Sequence, residues 1–460
     1  MTTKKQIHIG IFPVDVGHHI AAWRHPDVPA GGGSDVAFYK DIARTAERGK
    51  LDMLFLGDQM TAHYPEDESF GRTSRMTRLE PTTLLALLSG ITSHLGLVGT
   101  ASMSYFEPFH LARKFASLDV LTGGRAGWNM VTSFDDMEAL NFNVGMVADP
   151  SLRYRKAHEF VDVVRRLWDT WDEDAFVRDK ASGRFFDPAK LHLADFKGEY
   201  FSSRGPLGIP RSAQSHPVLI QAGSSDDGRA FAAAQAEVIF TAHPVLSEAR
   251  KFYSELRERV GRAGRDPDHV KILPGSMTFI GRTREEAQEK YDLLQSLIDP
   301  QTGWMVIKKH LGVDISGLPL DEPMPAFKAS ATGQMSRQQV LIDAAARDKL
   351  TVRQFYERFV GSKGHQLAIG TASQVADEYE AWIDGEGADG FNLMLPSLPN
   401  ALNDFVDLVV PELQRRGRFR LDYTGHTLRD NLGLPLPQHA HPASAAARRP
   451  KAADAPLRSS

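Results

Sequence analysis

Short apolar runs of strand length alternate with segments of helical periodicity along most of this chain. The run 7–13, IHIGIFP, is followed by a segment, 36–50, that places Ile42, Ala43 and Ala46 on one helical face. The predicted strands are 7–13, 51–58, 95–103, 123–133, 217–223, 237–242, 270–281 and 389–395. The predicted helices are 36–50, 81–94, 109–124, 153–171, 229–236, 247–264, 284–298, 373–385 and 402–417.

Eight strands that each precede a helix are typical of an α/β protein with a (β/α)8 TIM barrel. Strands joined by helical crossovers run mostly parallel, because each helix returns the chain to the same end of the sheet. A doubly wound open sheet is the structural alternative. It rarely contains eight such units, so the pattern favours the barrel.

A plain barrel needs only about 250 residues, so the remaining length belongs to insertions. We expect one barrel domain over 1–436 and a disordered tail over 437–460, which is rich in Pro, Ala and Arg. Within the third insertion, an alternating pattern predicts a small hairpin. The insertions are placed at 59–80, 134–152, 172–216 and 299–370.

Composition excludes several classes of protein and of site. The chain has 460 residues, a formal net charge of −4 and no cysteine. It therefore has no basic face for nucleic acid, and disulfides, thiolate catalysis and zinc–sulfur sites are excluded. We see no secretory signal and no apolar run long enough for a membrane span, so a cytoplasmic protein is expected.

Polar, mostly uncharged side chains follow the predicted strands. Asp58 ends the second strand, Thr100 and Ser102 lie at the end of the third, and Asn129 lies in the fourth. Active sites of such barrels lie at the carboxyl ends of the strands. Hydroxyl and amide groups there suit a flavin or a sugar-like ligand better than a metal.

The stretch 221–232, QAGSSDDGRAFA, joins a strand to a helix through Gly223, Ser224 and Ser225. Unpaired N–H groups at a helix start attract anions, and small residues let a phosphate approach. Ordinary helix capping explains the serines equally simply and is favoured by the local sequence alone. Asp226 and Asp227 would repel an anion if they pointed inward.

Other familiar motifs are absent. There is no Walker loop, no GxGxxG between a strand and a helix, and no HExxH metal spacing. His18 and His19 are adjacent, so their side chains diverge, and core or surface positions are favoured over a metal pair. Arg24 and His25 follow them and offer a possible contact for an anionic carboxylate substrate.

Several longer stretches resemble the flavin-dependent monooxygenases of the nitrilotriacetate monooxygenase type, in the bacterial luciferase superfamily. They occur in the family's order and span almost the whole chain before the tail. The signal is specific for the family and weak for the substrate. The stretches are 46–58 (AERGKLDMLFLGD), 107–133 (which ends GGRAGWNMVTS), 153–171, 204–225 (RGPLGIPRSAQSHPVLIQAGSS) and 409–434.

The resemblance implies the oxygenase component of a two-component system. Reduced FMN, supplied by a separate NAD(P)H:flavin reductase, would react with O2 to give a C4a-(hydro)peroxide that oxygenates a small organic substrate. The flavin would do the difficult chemistry, and the protein would orient it and exclude water. A homodimer or homotetramer is also expected from the family.

The same resemblance assigns roles to residues of this chain. Asp58 would lie near the flavin ring, Thr100 and Ser102 along one ring face, and Asn129 within hydrogen-bonding reach of the ring or ribityl chain. At the phosphate, the resemblance reverses the preference for simple capping. The residues that it places there are Tyr154, Ser224 and Ser225, beside Gly223.

One position departs from the family's pattern. The family carries a histidine four residues before the tyrosine that matches Tyr154, and this chain has Pro150 there. Proline offers no side-chain donor, so we expect weaker FMN retention unless Arg153 substitutes.

Catalytic assignments rest on histidines, whose pKa lies near working pH. His310, in the longest insertion, matches a histidine of some relatives and is as readily explained as an exposed residue. His18 is a weaker candidate.

Two other functions remain open from the sequence. A deazaflavin-dependent dehydrogenase of the same superfamily would move hydride and need no O2. A non-catalytic flavin-binding protein would bind the cofactor without turnover. The stretches RAGWNMVTS and RGPLGIPRS favour the monooxygenase.

Overall fold

The computed structural model describes residues 4–62, 71–142, 149–223, 225–325, 345, 348–362 and 364–439. Its strands are β1 His8–Ile11, β2 Met53–Leu56, β3 Gly96–Ser102, β4 Ala126–Val131, β5 Phe196–Lys197, β6 Ser202–Ser203, β7 Val218–Gln221, β8 Val238–Thr241, β9 Lys271–Gly281, β10 Gln366–Thr371 and β11 Gly390–Leu393.

The longer helices pack around these strands; of the short ones, one follows β4 and three lie near the carboxyl end of the described chain. They are α1 Val36–Arg48, α2 Pro81–Ser89, α3 Pro108–Leu121, α4 Asp136–Ala139, α5 Pro150–Trp168, α6 Asp226–Gln235, α7 Leu246–Arg262, α8 Arg284–Ser296, α9 Pro300–Leu311, α10 Val352–Ser362, α11 Ala372–Asp384, α12 Asn400–Asp404, α13 Val410–Arg415 and α14 Leu428–Asn431. A π-helical turn, Phe405–Val409, joins α12 to α13.

The predicted eight-stranded barrel is confirmed. Strands β1, β2, β3, β4, β7, β8, β9 and β11 pair in that order, and every pairing is parallel. The ring closes where β11 pairs with β1, with His8 opposite Gly390. Because the sheet closes on itself, the open doubly wound alternative is excluded. The eight strands of the ring coincide with the eight predicted ones.

A ninth strand lies outside the prediction. β10 falls within the segment assigned to the insertion 299–370, and it pairs in parallel with the carboxyl-terminal half of β9. β9 has 11 residues, long enough to pair with β8 and β11 in its first half and with β10 in its second. The hairpin predicted within 172–216 is confirmed as the antiparallel pair β5–β6.

Alternation along the strands separates the inside of the barrel from its helical coat. In β4, Trp128 points outward into the main core, and its indole Nε1 donates to the carbonyl of Ala101 at 3.1 Å. Val98 and Ile220 point inward and pack in a separate apolar cluster inside the ring. Period-two alternation then turns Thr100 and Asn129 inward as well.

The start of β4 is held by a buried carboxyl. Asp119, near the end of α3, is 0% exposed and accepts hydrogen bonds from Ala126 N at 3.0 Å, from Gln214 Nε2 at 2.6 Å and from Ser212 Oγ. Between α3 and β4, Gly123 and Gly124 have φ angles of 68° and 89°. Glycine adopts such positive φ angles without strain, so the chain turns directly from the helix into the strand.

The beginning of the predicted tail is packed. His439 has a side chain that is 2% exposed, and its Nε2 lies 3.4 Å from the carbonyl of Trp171. Residues 440–460 lie outside the described part of the chain. Within the described ranges, no helix is both long and apolar enough to cross a lipid bilayer.

The pH dependence of stability tests the role of Asp119. Burial raises the pKa of its carboxyl to about 6. A carboxyl with a raised folded-state pKa stabilises the fold at low pH, and this contribution is lost as the pH rises through the folded pKa. We expect the free energy of unfolding of the wild type to fall, relative to Asp119→Asn, by roughly 1–3 kcal/mol between pH 4 and pH 7. Urea unfolding of both proteins across this range measures it, and a constant difference would contradict the assignment.

Candidate active site

Three aromatic rings form a floor beneath the carboxyl-terminal end of the barrel, which we call the mouth. The ring centroid of Phe12 lies 4.7 Å from that of Phe55 and 5.9 Å from that of Phe240, and the last two lie 6.1 Å apart. The three residues come from the ends of β1, β2 and β8. Because this floor is packed and apolar, a ligand at the mouth lies above it and is shielded from water on one side.

A polar wall rises from β3 and β4 beside this floor. Asn129 Nδ2 donates to Thr100 Oγ1 at 2.9 Å, and both residues are buried. Asn129 Oδ1 is also buried, and none of the described residues is its hydrogen-bond partner. An unsatisfied buried acceptor is costly. A ligand N–H at this position would satisfy it, so the wall fits a heteroaromatic ring with N–H donors.

The ends of the same two strands are tied together by hydroxyl groups. Ser102 and Ser133 share a hydrogen bond of 2.9 Å between their Oγ atoms. Arg153 then braces the turn after β4, because its Nη1 donates to the carbonyls of Thr132 at 3.1 Å and Ser133 at 2.6 Å. Ser102 therefore has a partner within the protein and supports the wall.

A small cradle forms where β7 leads into α6. Ser225 caps the helix, accepting from Gly228 N at 3.1 Å. A Cβ added at Gly228 would lie 2.9 Å from the hydroxyl of Tyr154, 3.0 Å from Ser225 Oγ and 3.1 Å from the Cα of Gly223. Two hydroxyls thus converge at the positive end of a helix, over a position that only glycine leaves open. This combination suits a phosphate group.

The acidic residues that follow the cradle do not point into it, which was the condition under which they would repel an anion. The side chain of Asp226 is 76% exposed and forms an ion pair with Arg259 of α7 at 2.7 Å. Asp227 is also exposed. The capping role of Ser225 and a phosphate role are therefore compatible, because the capping bond leaves the Tyr154 hydroxyl and the helix end available.

Asp58 follows β2, the strand that neighbours β3 in the ring. Its Oδ1 accepts from Gln59 N at 2.8 Å. Burial raises the pKa of its carboxyl above the usual value, and the nearby Glu80 and Glu138 raise it further, whereas Gln59 N and Arg78 lower it. Such a carboxyl takes up a proton more readily than an exposed aspartate does.

The adjacent histidines occupy different surroundings. His18 is 3% exposed, its ring lies 4.9 Å from that of Phe12, and its Nε2 is hydrogen-bonded to the carbonyl of Phe12. His19 is 1% exposed and contacts Gln295 of α8 at 3.2 Å. The structure therefore places His18 at the edge of the floor and His19 in the core, so the two rings do not form a metal pair.

Two predicted site residues fall outside what the structure describes. Ser224 is one of them. The backbone of His310 belongs to α9, but its side chain lies outside the description as well. Their assigned roles remain predictions.

Sequence reasoning missed two mouth residues. Arg78 belongs to the segment treated as an insertion, and no local pattern indicates the direction of a loop arginine. His365 precedes β10, and its ring stacks on Phe240 with a centroid distance of 5.6 Å. The short apolar run 367–369, LAI, is the signal in the sequence that points to this strand and to the histidine before it.

Comparisons with known proteins agree with the barrel fold and identify the family. The family described as luciferase-like monooxygenase matches residues 16–389. N-acetyl-S-(2-succino)cysteine monooxygenase of Bacillus subtilis (strain 168) is 49% identical over 436 residues, covering 94% of this chain and 98% of the relative. Nitrilotriacetate monooxygenase component A of Aminobacter aminovorans is 43% identical over 448 residues, covering 96% and 99%.

A solved structure extends the likeness to three dimensions. The crystal structure of DmoA from Hyphomicrobium sulfonivorans superposes with a TM-score of 0.84 at 32% sequence identity, covering 93% of this chain and 92% of that one. The likeness spans the barrel and its insertions, and the relatives are monooxygenases in name. This chain is therefore an enzyme, a flavin-dependent monooxygenase, and it belongs to the luciferase-like monooxygenase family.

Proposed function

We propose that this protein binds reduced FMN at the barrel mouth, receives it from a separate NAD(P)H:flavin reductase, and uses O2 to oxygenate a small organic substrate. The observation that carries the proposal is the convergence of two hydroxyls over Gly228 at the start of α6, on the same rim as the unsatisfied amide oxygen of Asn129.

Each part of the mouth has a role toward this cofactor. The cradle of Tyr154, Ser225 and α6 holds the phosphate, and the wall of Asn129 and Thr100 orients the ring. The apolar floor beneath them keeps water from one side of the reacting centre. Bound reduced FMN supplies the electrons that activate O2.

The partner reductase is supported by what the chain lacks and by the names of its relatives. The sequence has no glycine-rich nicotinamide motif between a strand and a helix. The nitrilotriacetate relative is named as one component of its monooxygenase. Another relative, 44% identical over 425 residues, is named as one of the subunits of pristinamycin IIA synthase. Both names indicate systems of more than one polypeptide.

The remaining expectations come from the family resemblance and the sequence. The protein is expected to form a homodimer or a homotetramer and to be located in the cytoplasm. Light scattering coupled to gel filtration measures the oligomeric state.

Oxygen consumption tests the proposed reaction. Photoreduced FMN and the protein are mixed with O2 in the presence of candidate thioethers, amines, polyaminocarboxylates and aromatic sulfones, and product is measured by mass spectrometry with 18O2. We expect protein-dependent incorporation of one labelled oxygen atom into at least one compound. Oxygen uptake equal to that of free reduced FMN, with no labelled product from any class, would refute the proposal.

The phosphate cradle is tested by Tyr154→Phe and Ser225→Ala. Each substitution removes one protein hydroxyl that would contact the charged phosphate of FMN. We expect the affinity for FMN to fall about 10- to 100-fold in Tyr154→Phe, because a charge-assisted hydrogen bond is lost. Riboflavin, which has no phosphate, should bind each variant as it binds the wild type. Isothermal titration calorimetry measures both.

Tyr200→Phe is the matched control, since its hydroxyl contacts the exposed Arg155 at 3.4 Å. It should leave FMN affinity unchanged. Equal loss of FMN and riboflavin affinity in Tyr154→Phe would show that the hydroxyl acts on the fold and not on the phosphate.

Pro150 occupies the first position of α5, where its missing N–H costs nothing, and Asp149 caps that helix through Leu152 N at 3.1 Å. Arg153 is held by the β4 turn, so it does not replace the family's histidine freely. We expect Pro150→His to bind FMN about 3- to 10-fold more tightly, because the histidine adds one hydrogen bond to the cofactor.

Pro150→Ala serves as the control, because it removes the proline without adding a donor. The dissociation constants of the three proteins are compared by flavin fluorescence. A value for Pro150→His that equals the wild type's would contradict the account.

A further inference from the structure

The segment between β2 and α2 brings an arginine to the inner side of the mouth. Met53 and Phe55 point into the barrel, so Gly57 faces the same way by alternation. A Cβ added at Gly57 would lie 2.9 Å from the ring of Phe12 and 3.9 Å from Nη1 of Arg78. The guanidinium of Arg78 therefore lies beside the aromatic floor.

Other arginines at the mouth use their guanidinium groups to brace the protein. Arg75 donates to the carbonyls of His18 and Gly17, the latter at 3.3 Å. Arg153 holds the turn after β4, as described above. These two stabilise loops and are poorly placed to take a ligand.

Arg78 is different, because its bonding capacity is not used by the described residues. Its Nε is buried and has no hydrogen-bond partner among them, and no ion pair within 4.0 Å joins Arg78 to another described residue. Two of the carboxylates that act electrostatically on Arg78 have other donors. Asp58 accepts from Gln59 N, and Asp15 accepts from Ser74 Oγ.

We propose that Arg78 binds a carboxylate of the substrate and makes this enzyme selective for anionic substrates. The inference deepens the proposed function and rests on it. The planar guanidinium offers a fork of donors that matches a carboxylate, and the floor beside it accommodates the apolar part of the same molecule. Arg78 is a specificity-determining residue in this account.

The carboxyl groups that act electrostatically on Arg78 are those of Asp58, Asp15 and Glu138, and each accepts a hydrogen bond from another donor. Burial raises the pKa of both Asp58 and Asp15 above their usual values. A carboxyl that protonates more easily adjusts to the arrival of another negative charge at lower cost.

Arg24, which the sequence suggested for this role, is exposed, and its Nη1 donates to the carbonyl of Leu297. Its donor is thus engaged by the main chain that follows α8. Arg78 is the better-placed of the two arginines for an anionic substrate.

The test compares substrate classes in Arg78→Gln and Arg78→Lys. The anionic probes are N-acetyl-S-(2-succino)cysteine and nitrilotriacetate, and the neutral probes are dibenzothiophene sulfone and dimethyl sulfide. We expect KM for an anionic substrate to rise at least about tenfold in Arg78→Gln, with little change in kcat, and Arg78→Lys to recover part of the loss. Turnover of a neutral substrate and the affinity for reduced FMN should stay unchanged.

Arg72→Gln is the matched control. This arginine lies on the same segment, is exposed, and pairs with Asp299 at 3.2 Å. It should retain wild-type KM for both classes. Thermal unfolding of every variant separates a local effect from a folding defect, and the partial recovery in Arg78→Lys provides a second check.

Several results would overturn the proposal. They are an equal loss on anionic and neutral substrates, a loss explained by weaker FMN binding, or a wild-type enzyme that oxygenates only the neutral probes.

If the wild type turns over none of the four, calorimetric titration of nitrilotriacetate decides. Weaker binding to Arg78→Gln than to the wild type supports the proposal, and equal or undetectable binding to both overturns it. Failure of the proposed function itself is read separately, as the absence of labelled product in the 18O2 assay across all substrate classes.

Discussion

Parallel closure of the sheet is the constraint on which the rest of the structure depends. The pairing of β11 with β1 and of β8 with β9 joins the first and last parts of the described chain into one ring. Because all eight strands point the same way, their carboxyl ends meet at one rim. The rings of Phe12 and Phe240, which are distant in sequence, then lie with their centroids 5.9 Å apart.

This closure also separates structural from chemical tasks. Outward residues such as Trp128 join the large core between strands and helices, where packing sets stability. Inward residues near the rim include polar ones on β3 and β4. Asn129 makes one hydrogen bond within the described residues and leaves its second amide atom unsatisfied, which a packed core position rarely tolerates. The polar rim is therefore better explained by a ligand than by stability.

Much of the scaffold was predictable because buried strands are continuous apolar runs and the flanking helices are amphipathic. The cradle was only half predictable. Ser225 at the start of a helix is an equally good cap, and only the position of the Tyr154 hydroxyl over Gly228 adds a reason to expect an anion. That proximity joins α5 to α6, which no local pattern contains.

The missed features have the same physical origin. β10 lies in a long insertion and pairs beyond the eight-stranded ring, so the count of strands needed for a barrel gave no reason to look for it. Arg78 is one of many loop arginines, and its position near Phe12 follows from the path of the loop after β2. Directions of loop side chains are tertiary properties.

The most direct measurement of the central claim, that the mouth holds a phosphorylated reduced flavin, is the binding of reduced FMN and reduced riboflavin to the unaltered protein under anaerobic conditions. The two ligands share the ring and differ in the phosphate. The account predicts that reduced FMN binds at least about tenfold more tightly, and that the difference shrinks as salt concentration rises. Equal affinities for the two ligands, or no binding of either, would contradict it.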